Sequence, residues 1–141
     1  SKVDTNIITS SINAGYVPVI SSIALGEDSK SVYNINADTA ASCIASALSA
    51  EKLLLLTDVP GILADPSDAS SLISQLGLQE VSRLYSDGVL TGGMIPKVQC
   101  CTDAIKAGVG RAHIIDGRLR HSLLLELFTD EGVGTMIKME A

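Results

Sequence analysis

A chain of 141 residues, 46% hydrophobic and 18% charged, has the length and apolar content to bury one core, and with one Phe, three Tyr and no Trp it lacks the aromatic platforms on which single-stranded nucleic acids stack. Its formal net charge of −6 argues against a general binder of nucleic acid or of anionic membranes, because both draw on clustered Lys and Arg. Any anionic ligand must therefore be met by a local feature.

Taken in order, Val3 to Ala14 carries apolar residues near helical spacing and is closed by Gly15, which predicts a surface helix. Tyr16 to Leu25, YVPVISSIAL, is β-branched and apolar with Pro18 near its start, the composition of a strand entered at an edge. GEDSKS is a polar turn, after which Val32 to Ile35 is expected to return antiparallel. Ala37 to Leu48 is a helix of small residues. Lys52 to Thr57, KLLLLT, is a continuous apolar run, as for a central parallel strand covered on both faces, and the order strand, helix, strand predicts a βαβ unit. ADPSDASS is a loop, Leu72 to Leu78 a short strand and Gln79 to Asp87 a helix stopped by Gly88. Pro96 suits the first turn of a helix running from the TGGMIPK loop to about Ala107. Arg111 to Asp116 is a strand, Arg118 to Phe128 a helix and Thr135 to Met139 a last strand. With no linker or repeat, residues 1–141 read as a single α/β domain with a mainly parallel open sheet between helices.

Three stretches carry chemistry. In YNINADTAA, Asn34, Asn36 and Asp38 fall on alternate residues where a strand gives way to a helix, so their polar groups can converge on one spot. The plainer reading is that Asn36 or Asp38 caps the helix. At Thr57 to Gly61, a hydroxyl, the Asp58 carboxylate and a Pro-Gly turn end a buried strand, a place to seat a ribose or a magnesium-bound phosphate, or simply an Asp bonding its own backbone. In TGGMIPK, glycines before a helix offer backbone N–H groups to phosphate and Lys97 adds a mobile charge, although the spacing is not that of a P-loop.

YNINADTAA, LLLLTDVPGIL and GGMIPKV, in this order and at these intervals, together resemble the carboxyl-terminal half of the acetylglutamate kinases, within the amino-acid kinase family. The resemblance covers essentially the whole chain. It implies an ATP-dependent phosphotransferase that phosphorylates the side-chain carboxylate of N-acetyl-L-glutamate in arginine biosynthesis, with Mg2+ arriving on the ATP and no tightly bound cofactor or metal centre. It implies that Asn34 and Asn36 face the substrate, that Asp38 orients the catalytic Lys97, and that Thr57, Asp58, Gly61, Gly92 and Gly93 border the nucleotide along with Lys97. The family's amino-terminal Lys and Gly-Gly loop, its second Gly-Gly pair and its substrate-holding arginine are not found here, so the lone chain is expected to be inactive.

The tail HSLLLELFTDEGVGTMI resembles the end of the arginine-inhibited, ring-forming members, which implies arginine as a feedback inhibitor held by Glu126 and Gly132, a homo-oligomer for the full-length enzyme and, in photosynthetic relatives, a PII-type regulator. Outside that resemblance, Glu126 reads as a solvated residue of an amphipathic helix. Cys43, Cys100 and Cys101 have no metal-ligand spacing and read as reduced thiols. Neither His113 nor His121 has a nucleophile beside it in the sequence, and Arg111, Arg118 and Arg120 read as a basic edge. The absence of an apolar leader or span predicts a soluble protein of the cytoplasm, or of the plastid stroma in a photosynthetic eukaryote, with no nucleic-acid or membrane partner. Two alternatives remain: a non-catalytic nucleotide- or arginine-sensing module, and half of a sibling carboxylate or carbamate kinase.

Overall fold

Asn36 leaves the extended conformation at the end of a short strand, and its side-chain oxygen accepts a hydrogen bond from Thr39 N at 3.0 Å, which starts a helix there. In the computed structural model, which describes residues 3–130 and 132–140, the helices are α1 (Asn6–Asn13), α2 (Ala37–Ala47), α3 (Leu78–Ser86), α4 (Met94–Lys106) and α5 (Ser122–Phe128). The strands are β1 (Ile23–Leu25), β2 (Val32–Asn34), β3 (Lys52–Thr57), β4 (Gln75–Gly77), β5 (Arg111–Asp116) and β6 (Thr135–Lys138).

Four strands form a sheet in the order β3-β5-β6-β4. The pairs β3–β5 and β4–β6 are parallel, while β5–β6 is antiparallel, so the last strand is the seam between two parallel pairs. The fold is the expected α/β class with a mixed, mostly parallel open sheet. Helix α4 covers it with Val98, Cys101, Ala104 and Ile105, which meet Ile114 and Ile137 in the core; these six are 2% exposed or less. Each of the isoleucines gains roughly 1.5–3 kcal/mol from burial. The core is aliphatic because the sequence offers little else. Small side chains on α2 allow α4 to approach closely, and Ser42 Oγ donates to the Cys100 carbonyl at 3.1 Å.

Four expectations need correction. Only Ile23–Leu25 of the apolar run 16–25 is a strand, pairing antiparallel with Val32–Asn34 as the turn predicted. Val17 and Val19 are 88% and 95% exposed, because β propensity needs a ladder partner and the described residues supply none there. β3 lies at an edge of the four-stranded sheet, not at its centre, with Leu53 and Leu55 buried and Leu56 exposed. β2 pairs with β1 rather than joining that sheet, so the parallel crossover is made from β3 to β5 and not from β2 to β3. The final helix begins only at Ser122, because Asp116 draws Arg118 into a turn and His121 adopts a left-handed conformation with φ of 62°.

Candidate nucleotide and effector sites

The carboxyl end of β3 and the amino end of α4 enclose a cavity of about 490 Å3. Thr57, Asp58 and Gly61 line it from one side, and Gly92, Gly93 and Lys97 from the other. Val59, Leu63, Val89 and Met94 make the remaining wall largely apolar. This is where open α/β sheets collect ligands.

Around Gly92 the chain turns with φ of +52°, a conformation that favours glycine. A Cβ added to Gly92 or to Gly93 would meet nothing within 4 Å, so both glycines keep the backbone open to a ligand. The first turn of α4 offers fewer donors than its sequence implies. Met94 N and Ile95 N turn back to Thr91 and Gly92 carbonyls at 3.1 and 3.3 Å, and Pro96 has no N–H. The N–H groups of Gly92 and Gly93, one step earlier, donate to no backbone carbonyl among the described residues and are the ones free for an anion.

Lys97 Nζ donates to Asp38 Oδ2 at 2.9 Å, each side chain about a quarter exposed. The pair joins α4 to the first turn of α2, where a carboxylate also complements the helix dipole. Lys97 is thereby aimed along the cavity wall while staying accessible. Thr57 Oγ1 donates to Asp58 Oδ1 at 3.2 Å. Asn34 and Asn36 are not on this wall: Asn34 sits on β2 opposite Ile23, and the Asn36 oxygen is taken up by its cap. No group of three His, Cys, Asp or Glu residues among the described residues could hold a metal ion; Asp58 is a carboxylate on the cavity wall.

A second cavity, of about 350 Å3, opens between β5, β6 and α5. Glu126 is its anchor. The Glu126 carboxylate accepts from Val133 N at 2.7 Å and Gly134 N at 3.1 Å, and His113 Nδ1 lies 2.6 Å away; the Glu126 and His113 side chains are each 5% exposed. Burial works to raise the Glu126 pKa, but the Val133 and Gly134 amides and His113 outweigh it and hold the carboxyl below its usual range. With Nδ1 facing the carboxylate, His113 Nε2 is buried and has no hydrogen-bond partner among the described residues. Lys52 and Arg111, in register on β3 and β5, line the same cavity, as does Gly132.

The sequence profile of the amino acid kinase family matches residues 1–116. The chain belongs to the amino acid kinase family. An acetylglutamate kinase of Clostridium beijerinckii is 58% identical over 137 residues, covering 97% of this chain and 48% of that protein. This family member therefore spans about half the length of the curated relatives it matches. Among solved structures, N-acetylglutamate synthase from Neisseria gonorrhoeae, complexed with coenzyme A and L-arginine, aligns at TM-score 0.89 and 30% identity over 100% of this chain and 32% of its own. Giardia carbamate kinase shares the fold at TM-score 0.70 and 23% identity, covering 95% and 47%.

The structure adds one site residue to this amino acid kinase chain that sequence reasoning passed over. His113 alternates within a strand and has no local partner; Glu126, thirteen residues on, reaches it only when α5 folds over β5. Cys101 is fully buried, with its thiol pushed up to about 12 by burial, and serves packing.

Proposed function

We propose that the chain is the nucleotide-binding half of an acetylglutamate kinase. In this reading the γ-phosphoryl group of ATP moves to the side-chain carboxylate of N-acetyl-L-glutamate: the bond from phosphorus to the β,γ-bridging oxygen breaks, a bond from a carboxylate oxygen to phosphorus forms, and ADP leaves. Such a transfer needs positioning and charge neutralisation more than a nucleophilic side chain. The supporting observation is the Lys97–Asp38 pair on the wall of a cavity lined by Thr57, Asp58 and the Gly92–Gly93 turn, in a chain 58% identical to an acetylglutamate kinase.

Lys97 carries positive charge to the transferring phosphates and Asp38 holds it in place. The free Gly92 and Gly93 amides receive phosphate oxygens, and the aliphatic wall takes the base. Asp58 would face a magnesium ion carried on ATP, which would supply shielding of the phosphate charge. Asn34 faces the acetylglutamate, whose remaining contacts come from elements outside these 141 residues, so the isolated chain binds nucleotide without turning it over. Arginine is the effector in the second cavity, where Glu126 meets its guanidinium and the Gly132 turn closes over it; the solved synthase complexed with L-arginine supports that choice.

Calorimetric titration of Mg-ADP into the chain, with Lys97→Ala and Asp58→Ala as controls, tests the reading. Saturable binding weakened by both substitutions is the expected result. A folded chain that binds L-arginine but no nucleotide would favour a sensing module instead, and acyl-phosphate formation by the chain alone would overturn its incompleteness.

A further inference from the structure

The walls of the two cavities meet at one buried hydroxyl. Gly61, Ile62 and Leu63 line the first cavity, and Ser74, Gly134 and Met136 line the second. Thr135, fully buried, stands between them: its Oγ1 accepts from Ile62 N at 2.8 Å and donates to Ile73 O at 2.7 Å. The strip 72–74 is bonded on both sides, since Ile73 N donates to Ile62 O at 2.9 Å, Leu63 bridges Leu72, and Met136 N donates to Ser74 O at 2.9 Å. The fit is close. A Cβ on Gly61 would stand 2.6 Å from Thr135 Oγ1 and 3.1 Å from Thr135 N.

The second cavity grips the residues just before this junction. Glu126 Oε2 accepts from Val133 N at 2.7 Å and from Gly134 N at 3.1 Å, while His113 Nδ1 lies 2.6 Å from Oε1. A carboxylate oxygen offers about two lone-pair sites, so Oε2 is fully engaged. A guanidinium pairs with a carboxylate through two parallel N–H···O bonds, one to each oxygen, and an arginine seated there must therefore draw Oε2 away from at least one of the two amides. Gly134 is pressed against β5, where a Cβ would overlap the Ile114 carbonyl oxygen, so movement of the 133–134 backbone is passed along the chain to Thr135. We propose that Thr135 is a positioning residue through which a guanidinium ligand on Glu126 loosens the Gly61–Leu63 wall of the first cavity and weakens nucleotide binding. The inference rests on the nucleotide and arginine assignments of the two cavities, and it places their coupling inside a single chain.

Calorimetric titration of Mg-ADP into the parent chain, Thr135→Val and Thr135→Ser, each with and without saturating L-arginine, tests it, with circular dichroism confirming that each is folded. In the parent, L-arginine is expected to raise the Kd for Mg-ADP about fivefold or more, and Mg-ADP to raise the Kd for L-arginine by the same factor, as linkage requires. Thr135→Val should bring that factor below about twofold, whereas Thr135→Ser, which keeps the hydroxyl, should retain it. A merely structural role would change the affinities without changing the factor. In the parent chain, L-arginine should also speed amide exchange at Ile62 while leaving Val98 and Ile105 of α4 unchanged, a readout that does not depend on any variant folding. Binding of the two ligands without mutual effect, a factor in Thr135→Val equal to the parent's, or no change at Ile62 overturns the proposal while leaving both sites in place. A folded parent chain that binds only one of the two ligands, or neither, overturns the corresponding assignment and this inference with it.

Discussion

Replacing Thr135 by valine removes a single hydroxyl from the interior and keeps the side chain's shape, so the consequence can be worked from the hydrogen bonds alone. Thr135 is fully buried at the start of β6. Its Oγ1 accepts from Ile62 N at 2.8 Å and donates to Ile73 O at 2.7 Å, tying the loop beneath the first cavity to the segment that leads into β4. Ile62 is 1% exposed, so its N–H would be left without a partner or water. An unsatisfied buried group costs about 1–3 kcal/mol; Ile73 is only half-buried and its carbonyl can recover a water. Thr135→Val should therefore lose about 1–3 kcal/mol. In equilibrium urea unfolding, with a slope near 2 kcal/mol per molar, the midpoint should fall by about 0.5–1.5 M. Thr135→Ser, which keeps the hydroxyl and deletes one methyl, should lose about 1 kcal/mol. A Thr135→Val midpoint at or above that of Thr135→Ser would refute the reasoning, because packing rather than the hydroxyl would then hold the loop.

The partly exposed Lys97–Asp38 pair contributes little to folding, so Asp38→Asn should change unfolding free energy by less than about 1 kcal/mol, while Lys97→Ala raises the Kd for Mg-ADP about tenfold, as losing a charged contact to phosphate implies; urea titration and calorimetry separate the two. Gly132→Ala forces a left-handed conformation on a residue whose Cβ would stand 2.8 Å from Glu126 Oε2, and should cost roughly 1–3 kcal/mol and weaken arginine binding. Because the folded chain holds the Glu126 carboxyl below its ordinary value of 4.5, that group adds stability above this pH and loses it as pH falls through the lower folded value; the advantage of the parent over Glu126→Gln should narrow as pH falls below 4.5. Under native conditions a thiol reagent should label exposed Cys43 and leave Cys101 unmodified until the chain is unfolded.

What the sequence disclosed was set by how local each signal is. β3 and β5 appear at their predicted bounds because KLLLLT and RAHIID are apolar runs closed by polar residues on both sides. α4 was legible from Pro96 in its first turn and Gly108 just past its end. The run 16–25 misled because composition reports what a strand can contain, whereas a strand also needs an edge to pair with. Within the first cavity, Asp58 and the two glycines were visible as turn chemistry, but the Lys97–Asp38 contact spans 59 positions and came only from the resemblance. The Thr135 junction and the His113–Glu126 pair had no sequence signal, since each exists only once β6 and α5 are in place.

The place of β6 has a consequence for the order of assembly. Thr135 to Lys138 is the last strand along the chain, yet it is inserted between β5 and β4. Until it arrives, β5 and β4 each present a bare strand edge, and only the pairing of the segment after β3 with the segment before β4 joins the two parts of the sheet. During synthesis the sheet therefore stays open to wrong pairing until its final strand is delivered, and its closure is a long-range event that sets a slow step. Cutting the chain just before Thr135 should not merely fray one end; it would divide the sheet at its middle.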